Sequence, residues 1–235
     1  MDWLILSSSN LDRENKRQKS ESFTVGALLA ISGGILDAYT YLCRGKVFAN
    51  AQTGNIVLVG INSAEGNWKG VFSAMIPVVA FMLGVLVTEL TRHRIDNDKL
   101  QRIHWRHFNI FLEIALLAII ALIPLGHLDH LVNIVVSFVC SIQVQTFRKV
   151  HGNPFATTMC TGNLRSGTEA LLNYIRTGNG EAAHKSLCAY GLIGFFVLGA
   201  IVGALLSGHI PVLVIPLVIV IYAVVFLMMT EWKLQ

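Results

Sequence analysis

Apolar stretches long enough to cross a bilayer, which takes about 20 residues, recur six times along this chain. They cover approximately 22–43, 71–91, 108–126, 130–149, 187–207 and 210–230. Two further stretches break the pattern. Val47–Ile61 is short and polar at one end, with Asn50, Gln52, Thr53 and Asn55. Segment 154–176 is longer but carries Arg165, Glu169, Asn173 and Arg176. A charge at the bilayer centre costs roughly 2.5–3.5 kcal/mol on insertion scales, so neither stretch reads as an ordinary lipid-facing span. The pattern predicts an all-α integral membrane protein of about six transmembrane helices plus two broken or re-entrant segments.

Each of the two odd segments contains the same tripeptide, Thr53-Gly54-Asn55 and Thr161-Gly162-Asn163. Their surroundings match as well. Gly45-Lys46-Val47-Phe48-Ala49 precedes the first copy and Gly152-Asn153-Pro154-Phe155-Ala156 the second, while Phe81-Met82-Leu83-Gly84 has its counterpart in Phe196-Val197-Leu198-Gly199. The chain therefore divides into a tail at 1–21, a first membrane repeat at 22–126 with a basic linker at 92–107, and a second repeat at 127–235. Lipid cannot hydrogen-bond amides, so polar groups at membrane depth need cover from protein or a water-filled cavity. Such cover is expected where the two tripeptides meet.

Composition agrees with a membrane protein. Of 235 residues, 54% are hydrophobic and 14% charged, against about a quarter charged in soluble domains, and mean hydropathy is +0.60. The net charge of +4 collects at helix ends. No basic stripe with interleaved aromatics suggests nucleic acid. Trp3–Leu6 is too short for a secretory signal core of roughly 7–15 residues.

Lys and Arg favour the cytoplasmic side. The tail holds Arg13, Lys16, Arg17 and Lys19, and the linker holds Arg92, Arg94, Lys99, Arg102 and Arg106. If both are inside, an even number of crossings separates them, and the Thr53 segment enters and leaves on the outer side. Arg148, Lys149, Arg176, Lys185 and Lys233 then fall inside, and the Thr161 segment enters from within. Three crossings per half make the repeat inverted, with N- and C-termini cytoplasmic. The competing arrangement has eight full spans, parallel halves and an outside tail.

Asp37 is the sharpest ionisable residue, lying well inside the first span, where a carboxylate must face a partner or water. The offset of 108 between the tripeptides puts Gln145 at the equivalent place, with Arg148 and Arg44 as candidate counter-ions. Thr and Asn are good helix caps, and glycine permits a close approach. Each tripeptide is therefore expected to open a half-helix whose positive end favours anions or carbonyl-like groups, with Thr157 and Thr158 adding hydroxyls. Arg165 and Glu169 are spaced to pair along a helix. Glu113 and Glu89 read as near the cytoplasm, hydrated or paired with Arg92 or Arg106. His127, Asp129 and His130 read as solvent-facing rather than metal ligands. Trp3, Trp68, Trp105 and Trp232 read as interface anchors. Cys43, Cys140, Cys160 and Cys188 lack metal-ligand spacing, and Gly33-Gly34 and Gly199-x-x-x-Gly203 read as close helix packing.

Gly34-Ile35-Leu36-Asp37-Ala38, followed by Gly45, Phe48 and Thr53-Gly54-Asn55, resembles the signature of the YoaK-like family of bacterial integral membrane proteins. Gln143, Arg148, Thr157-Thr158 and Thr161-Gly162-Asn163-Leu164 are similar to that family's second-half pattern. The resemblance covers about residues 25–205. It implies a bacterial inner-membrane protein of about six spans with no established activity. Where many relatives carry methionine before the first tripeptide, this chain has Ala51-Gln52, which alters the cavity lining.

The expected function is a small-solute transporter or channel for an anionic or polar metabolite. Its expected site is Asp37, Thr53, Gly54, Asn55, Gln145, Arg148, Thr161, Gly162 and Asn163. The alternative is a non-transporting membrane scaffold or sensor in which the tripeptides only hold helices together. No nucleophile–base pattern, phosphate loop or dinucleotide fingerprint points to an enzyme, and no cofactor or metal is expected. Expected partners are membrane lipid and a small solute; a homo-oligomer is left open.

Overall fold

The computed structural model describes residues 19–97, 105–150, 153–154 and 160–230. Its helices are α1 (Phe23–Cys43), α2 (Gln52–Ala64), α3 (Trp68–Asn97), α4 (Trp105–Ala121), α5 (Asp129–Thr146), α6 (Cys160–Thr177), α7 (Gly180–His209) and α8 (Val214–Thr230). A two-residue hairpin, Lys149–Val150 paired antiparallel with Asn153–Pro154, separates α5 from α6. Expectations placed on Trp3, Lys99, Arg102, Thr157, Thr158 and Trp232 lie outside the described residues.

Among the described residues, four helices are long and apolar enough to cross a membrane: Phe23–Cys43, Trp68–Arg94, Gly180–His209 and Pro211–Thr230. The helices over the third and fourth apolar segments are shorter than the sequence suggests. α4 ends at Ala121 because Pro124 and Gly126, whose φ is +75°, impose a turn. α5 ends at Thr146, where Phe147 leaves helical geometry.

α1 begins at Ser22, whose hydroxyl accepts the Val25 N–H at 3.3 Å, and at 1.5 Å per residue its 21 residues span about 32 Å. It is the central helix: 72% of its apolar window is buried, against 22% for α3 and for α7. Val25, Leu29 and Leu36 of α1 pack with Ile110 and Leu117 of α4, Val136 and Cys140 of α5, and Val218, Tyr222 and Val225 of α8. Met82 and Leu86 on α3 and Leu198 and Leu205 on α7 stand exposed. On an apolar helix of a membrane protein such a face is covered by lipid tails.

Glycines set the closest crossings. Gly34 meets the Phe196 carbonyl and the backbone at Gly199 and Ala200, while Gly199 and Gly203 receive Ile31 and Ile35. These matches, with Gly26 beside Leu192 and Cys43 beside Ser207, make α1 and α7 parallel. α3 likewise runs parallel to α5, with Gly84 against Phe138 and Ser141, and Glu89 against Gln145. α1 and α5 are antiparallel: the Gln143 amide donates to the Leu29 carbonyl, and Asn133 donates to the Arg44 carbonyl at the opposite ends. α2 packs on α3, α6 on α7, α4 on α5 and α8 on α1, and α4 meets α8.

Candidate functional site

The segment after α1 doubles back. Arg44 caps α1 by donating its N–H to Thr40, and Gly45 (φ +91°) and Lys46 (φ +64°) then take left-handed geometry and reverse the chain. A side chain is tolerated there with difficulty, so Gly45 suits the first of these positions. Residues 47–50 return alongside α1. The Ala49 N–H donates to the Thr40 hydroxyl at 3.4 Å, the Asn50 N–H to Asp37 Oδ1 at 2.9 Å, and the Asn50 side-chain amide to the Gly33 carbonyl at 3.2 Å. Gly33 is ten residues from the end of α1, about 15 Å deep at 1.5 Å per residue. That is half of a hydrocarbon core of about 30 Å. Asp37 and Asn50 are each 7% exposed, and among the described residues Asn50 Oδ1 accepts no hydrogen bond from nitrogen or oxygen.

α2 starts from this depth. Gln52 donates its amide to the Ala49 carbonyl at 2.7 Å, and the Asn55 amide donates to Gln52 Oε1 at 2.9 Å and to the Phe48 carbonyl at 3.4 Å. The departure at Gln52 noted in the sequence thus stitches the returning chain to the helix. The tripeptide does not cap α2 as expected: the cap position is Ala51, with no side-chain bond, and Thr53-Gly54-Asn55 fills the first turn. Thr161-Gly162-Asn163 occupies the same three positions in α6. In both copies Thr and Gly are exposed and Asn is buried, Asn55 to 2% and Asn163 to 3%. Among the described residues, a Cβ on Gly54 or Gly162 would meet nothing within 4 Å, so no close approach there calls for glycine. Cys160, the first residue of α6, and Cys140 of α5 both lie within electrostatic reach of Asp37.

Three residues expected beside Asp37 lie elsewhere. Gln145 donates to the Glu89 carboxylate, and Arg148 reaches Glu89 at 3.4 Å. The 108-residue offset fails because the second tripeptide has a longer approach, and one or two residues along a helix turn a side chain to another face. Gln143, two residues before Gln145, points into the core and accepts the Tyr222 hydroxyl. Arg44, 2% exposed, pairs with Asp129 at 2.6 Å and also donates to Tyr39 and to the carbonyls of Ile123, Pro124 and His127. It fastens the end of α1 to the α4–α5 loop and is no counter-ion to Asp37. A cavity of about 320 Å³ opens there, lined by Tyr39, Arg44, Leu122, Pro124, Val212 and Ile215.

Other expectations divide. Arg165 and Glu169 do pair, at 3.8 Å on an exposed face. Glu89 approaches Arg92 at 3.8 Å. Trp68 is exposed, but Trp105 is buried against the guanidinium groups of Arg92 and Arg106. Glu113 overturns its reading as a hydrated or paired residue: it is fully buried, and among the described residues neither oxygen has a partner. It shares its buried face with Asn109, one turn of helix earlier. No local sequence signal separates it from Glu89; only the packing of α4 against both α5 and α8 does.

Apolar helices of crossing length around a buried polar centre define a multi-pass membrane protein in contact with lipid. The model of the family described as "Protein of unknown function (DUF1275)" matches residues 25–228, and the chain belongs to that family. It is also similar to the "UPF0700 transmembrane protein YoaK" of Bacillus subtilis (strain 168), 26% identical over 151 residues. That stretch is 63% of this chain and 66% of the relative, just under two thirds of its length. No solved structure matches the chain significantly.

Proposed function

We propose that this protein is a non-enzymatic transporter of a small polar or anionic solute in the bacterial inner membrane, built from two inverted halves of three crossings each. The site is the region where the starts of α2 and α6 face Asp37. The packing supports the inverted repeat. Matching α1 to α5, α2 to α6, α3 to α7 and α4 to α8, each pairing has a counterpart: α1–α7 with α5–α3, α2–α3 with α6–α7, and α4–α5 with α8–α1. The antiparallel α1 and α5 are what inversion requires.

At 13 residues α2 is about 20 Å long, too short to cross. It starts beside the middle of α1 and turns at Gly66 into α3, as a re-entrant segment would. Arg92, Arg106, Arg148, Arg176 and Lys185 all belong to the end of the bundle where α1 begins, which the positive-inside rule makes cytoplasmic. Broken helices at the interface of inverted repeats commonly hold a transporter's substrate.

The observation that carries the reading is the pair of hydrogen bonds from Asn50 to Asp37 and Gly33, which anchor non-helical chain and a helix start at mid-depth beside a buried carboxylate. Helix N-termini attract anions. Asp37 would repel one unless it also carried a proton, so proton-coupled movement fits the charge balance. The test is uptake of labelled carboxylates and neutral polar metabolites into proteoliposomes. Uptake should be lost in Asp37→Asn and weakened in Asn55→Ala; transport unchanged in both removes the site.

A scaffold is favoured by one observation, that the Asn55 amide is satisfied within its own segment. It predicts no uptake of any probe, together with lower thermal stability in Asn55→Ala and Asn163→Ala that no solute restores.

A further inference from the structure

Glu113 is fully buried between α4, α5 and α8, and among the described residues no Arg, Lys or His pairs with it. One helical turn earlier, Asn109 is also fully buried; its amide donates to the Thr146 hydroxyl at 3.0 Å, and among the described residues its Oδ1 has no partner. Residues four apart share a helix face, so α4 turns three unpartnered oxygens toward the core: Asn109 Oδ1, Glu113 Oε1 and Glu113 Oε2. All three can only accept. The Tyr222 hydroxyl, within electrostatic reach of Glu113, is already given to Gln143 Oε1. Among the described residues, this cluster is given neither a positive charge nor a donor.

We propose that Glu113 and Asn109 form a proton-binding site, in which a proton on the Glu113 carboxyl is donated to Asn109 Oδ1. One proton removes the isolated charge, which burial makes very unfavourable, and satisfies two of the three orphan oxygens. A metal ion is less well served. The orphan oxygens come from two side chains on a single helix, whereas oxygen cages usually gather six or more ligands.

Among the described residues, the titratable groups that interact with Glu113 are Cys140 on α5 and Tyr222 on α8, whose unperturbed forms are neutral at pH 7. Cys140 is also within reach of Asp37, so it stands between two carboxyl sites rather than belonging to one. The proposal depends on the transport reading only for what the proton would drive; the existence of the site can be tested without transport.

The experiment is infrared spectroscopy of the purified full chain in detergent at pH 7. A protonated-carboxyl C=O band is expected that Glu113→Gln abolishes and that Asp37→Asn leaves in place. Gln can donate to Asn109 as the neutral acid does, so that variant should fold. Asn109→Leu removes the acceptor and should move the band without abolishing it. A band absent from the unsubstituted protein, or unchanged in Glu113→Gln, overturns the proposal. Thermal stabilisation by sodium over choline that Glu113→Gln removes, with no such band, also overturns it and assigns a metal cation.

Discussion

Replacing Gly34 with alanine places a methyl group on the Phe196 carbonyl oxygen, 2.7 Å from the Ala200 nitrogen and 3.1 Å from the Gly199 carbonyl carbon. All of these are backbone atoms, which cannot swing aside as a side chain can. Ordinary contact needs about 3.4 Å or more, so α1 must withdraw from α7 by on the order of 1 Å. The same withdrawal loosens Ile31 over Gly199 and Ile35 over Gly203. In lipid, close packing is itself a main source of helix association, and overpacking a well-fitted contact typically costs about 1–3 kcal/mol. With three glycine contacts disturbed together, the upper part of that range is expected. At roughly 2–4 °C per kcal/mol for a chain of this size, the midpoint should fall by about 4–12 °C. The assay is thermal unfolding in mild detergent followed by size-exclusion chromatography.

The control is Gly54→Ala. Its Cβ meets nothing within 4 Å, so alanine's helix preference should be neutral or stabilising by up to about 1 kcal/mol. A Gly34→Ala midpoint at the unsubstituted value, or a Gly54→Ala loss as large, would refute the argument that close approach fixes the α1–α7 crossing.

The Arg44 clamp and the membrane orientation give two further predictions. Arg44→Leu strands the Asp129 carboxylate and three loop carbonyls, for a loss of about 3 kcal/mol, and Arg44→Lys should recover only part, since an ammonium cannot serve so many acceptors in one plane; full stability in Arg44→Leu by the same unfolding assay contradicts the clamp. In a background without the native cysteines, Ser63→Cys and Asn173→Cys, both exposed, should react with an impermeant maleimide from opposite sides of the membrane; labelling from one side alone would rule out the inverted arrangement.

The helices were legible because six apolar runs and two interrupted ones follow from composition alone. The shared register of the tripeptides was legible too, since identical residues with matching flanks take identical positions. What those residues do was not legible. Whether Thr or Asn faces inward depends on helix phase, and the sequence does not fix where a helix starts: α2 begins one residue before Thr53, which turns Asn55 inward and leaves Thr53 outside. The same problem misplaced Gln145, because the offset between halves changes across the longer second approach. Arg44 drew its partner from the start of α5, 85 residues away, and Glu113 was hidden by α8, more than 100 residues on. Contacts of that range have no local signature.

The pairing of α1 with α7 also bears on how the chain is made. The helix that covers Gly34 is translated about 165 residues after it, which at roughly 5–20 residues per second is on the order of 10–30 s. For that interval α1 stands in the membrane with its glycine groove uncovered by α7, and without the α5 and α6 residues that come to lie near Asp37. The Asn50 N–H, only 13 residues downstream of Asp37, arrives within a few seconds at the same rate. The returning strand is thus the earliest cover the carboxylate receives, and an insertion between Lys46 and Asn50 should show first as poor membrane assembly, before any loss of activity can be measured.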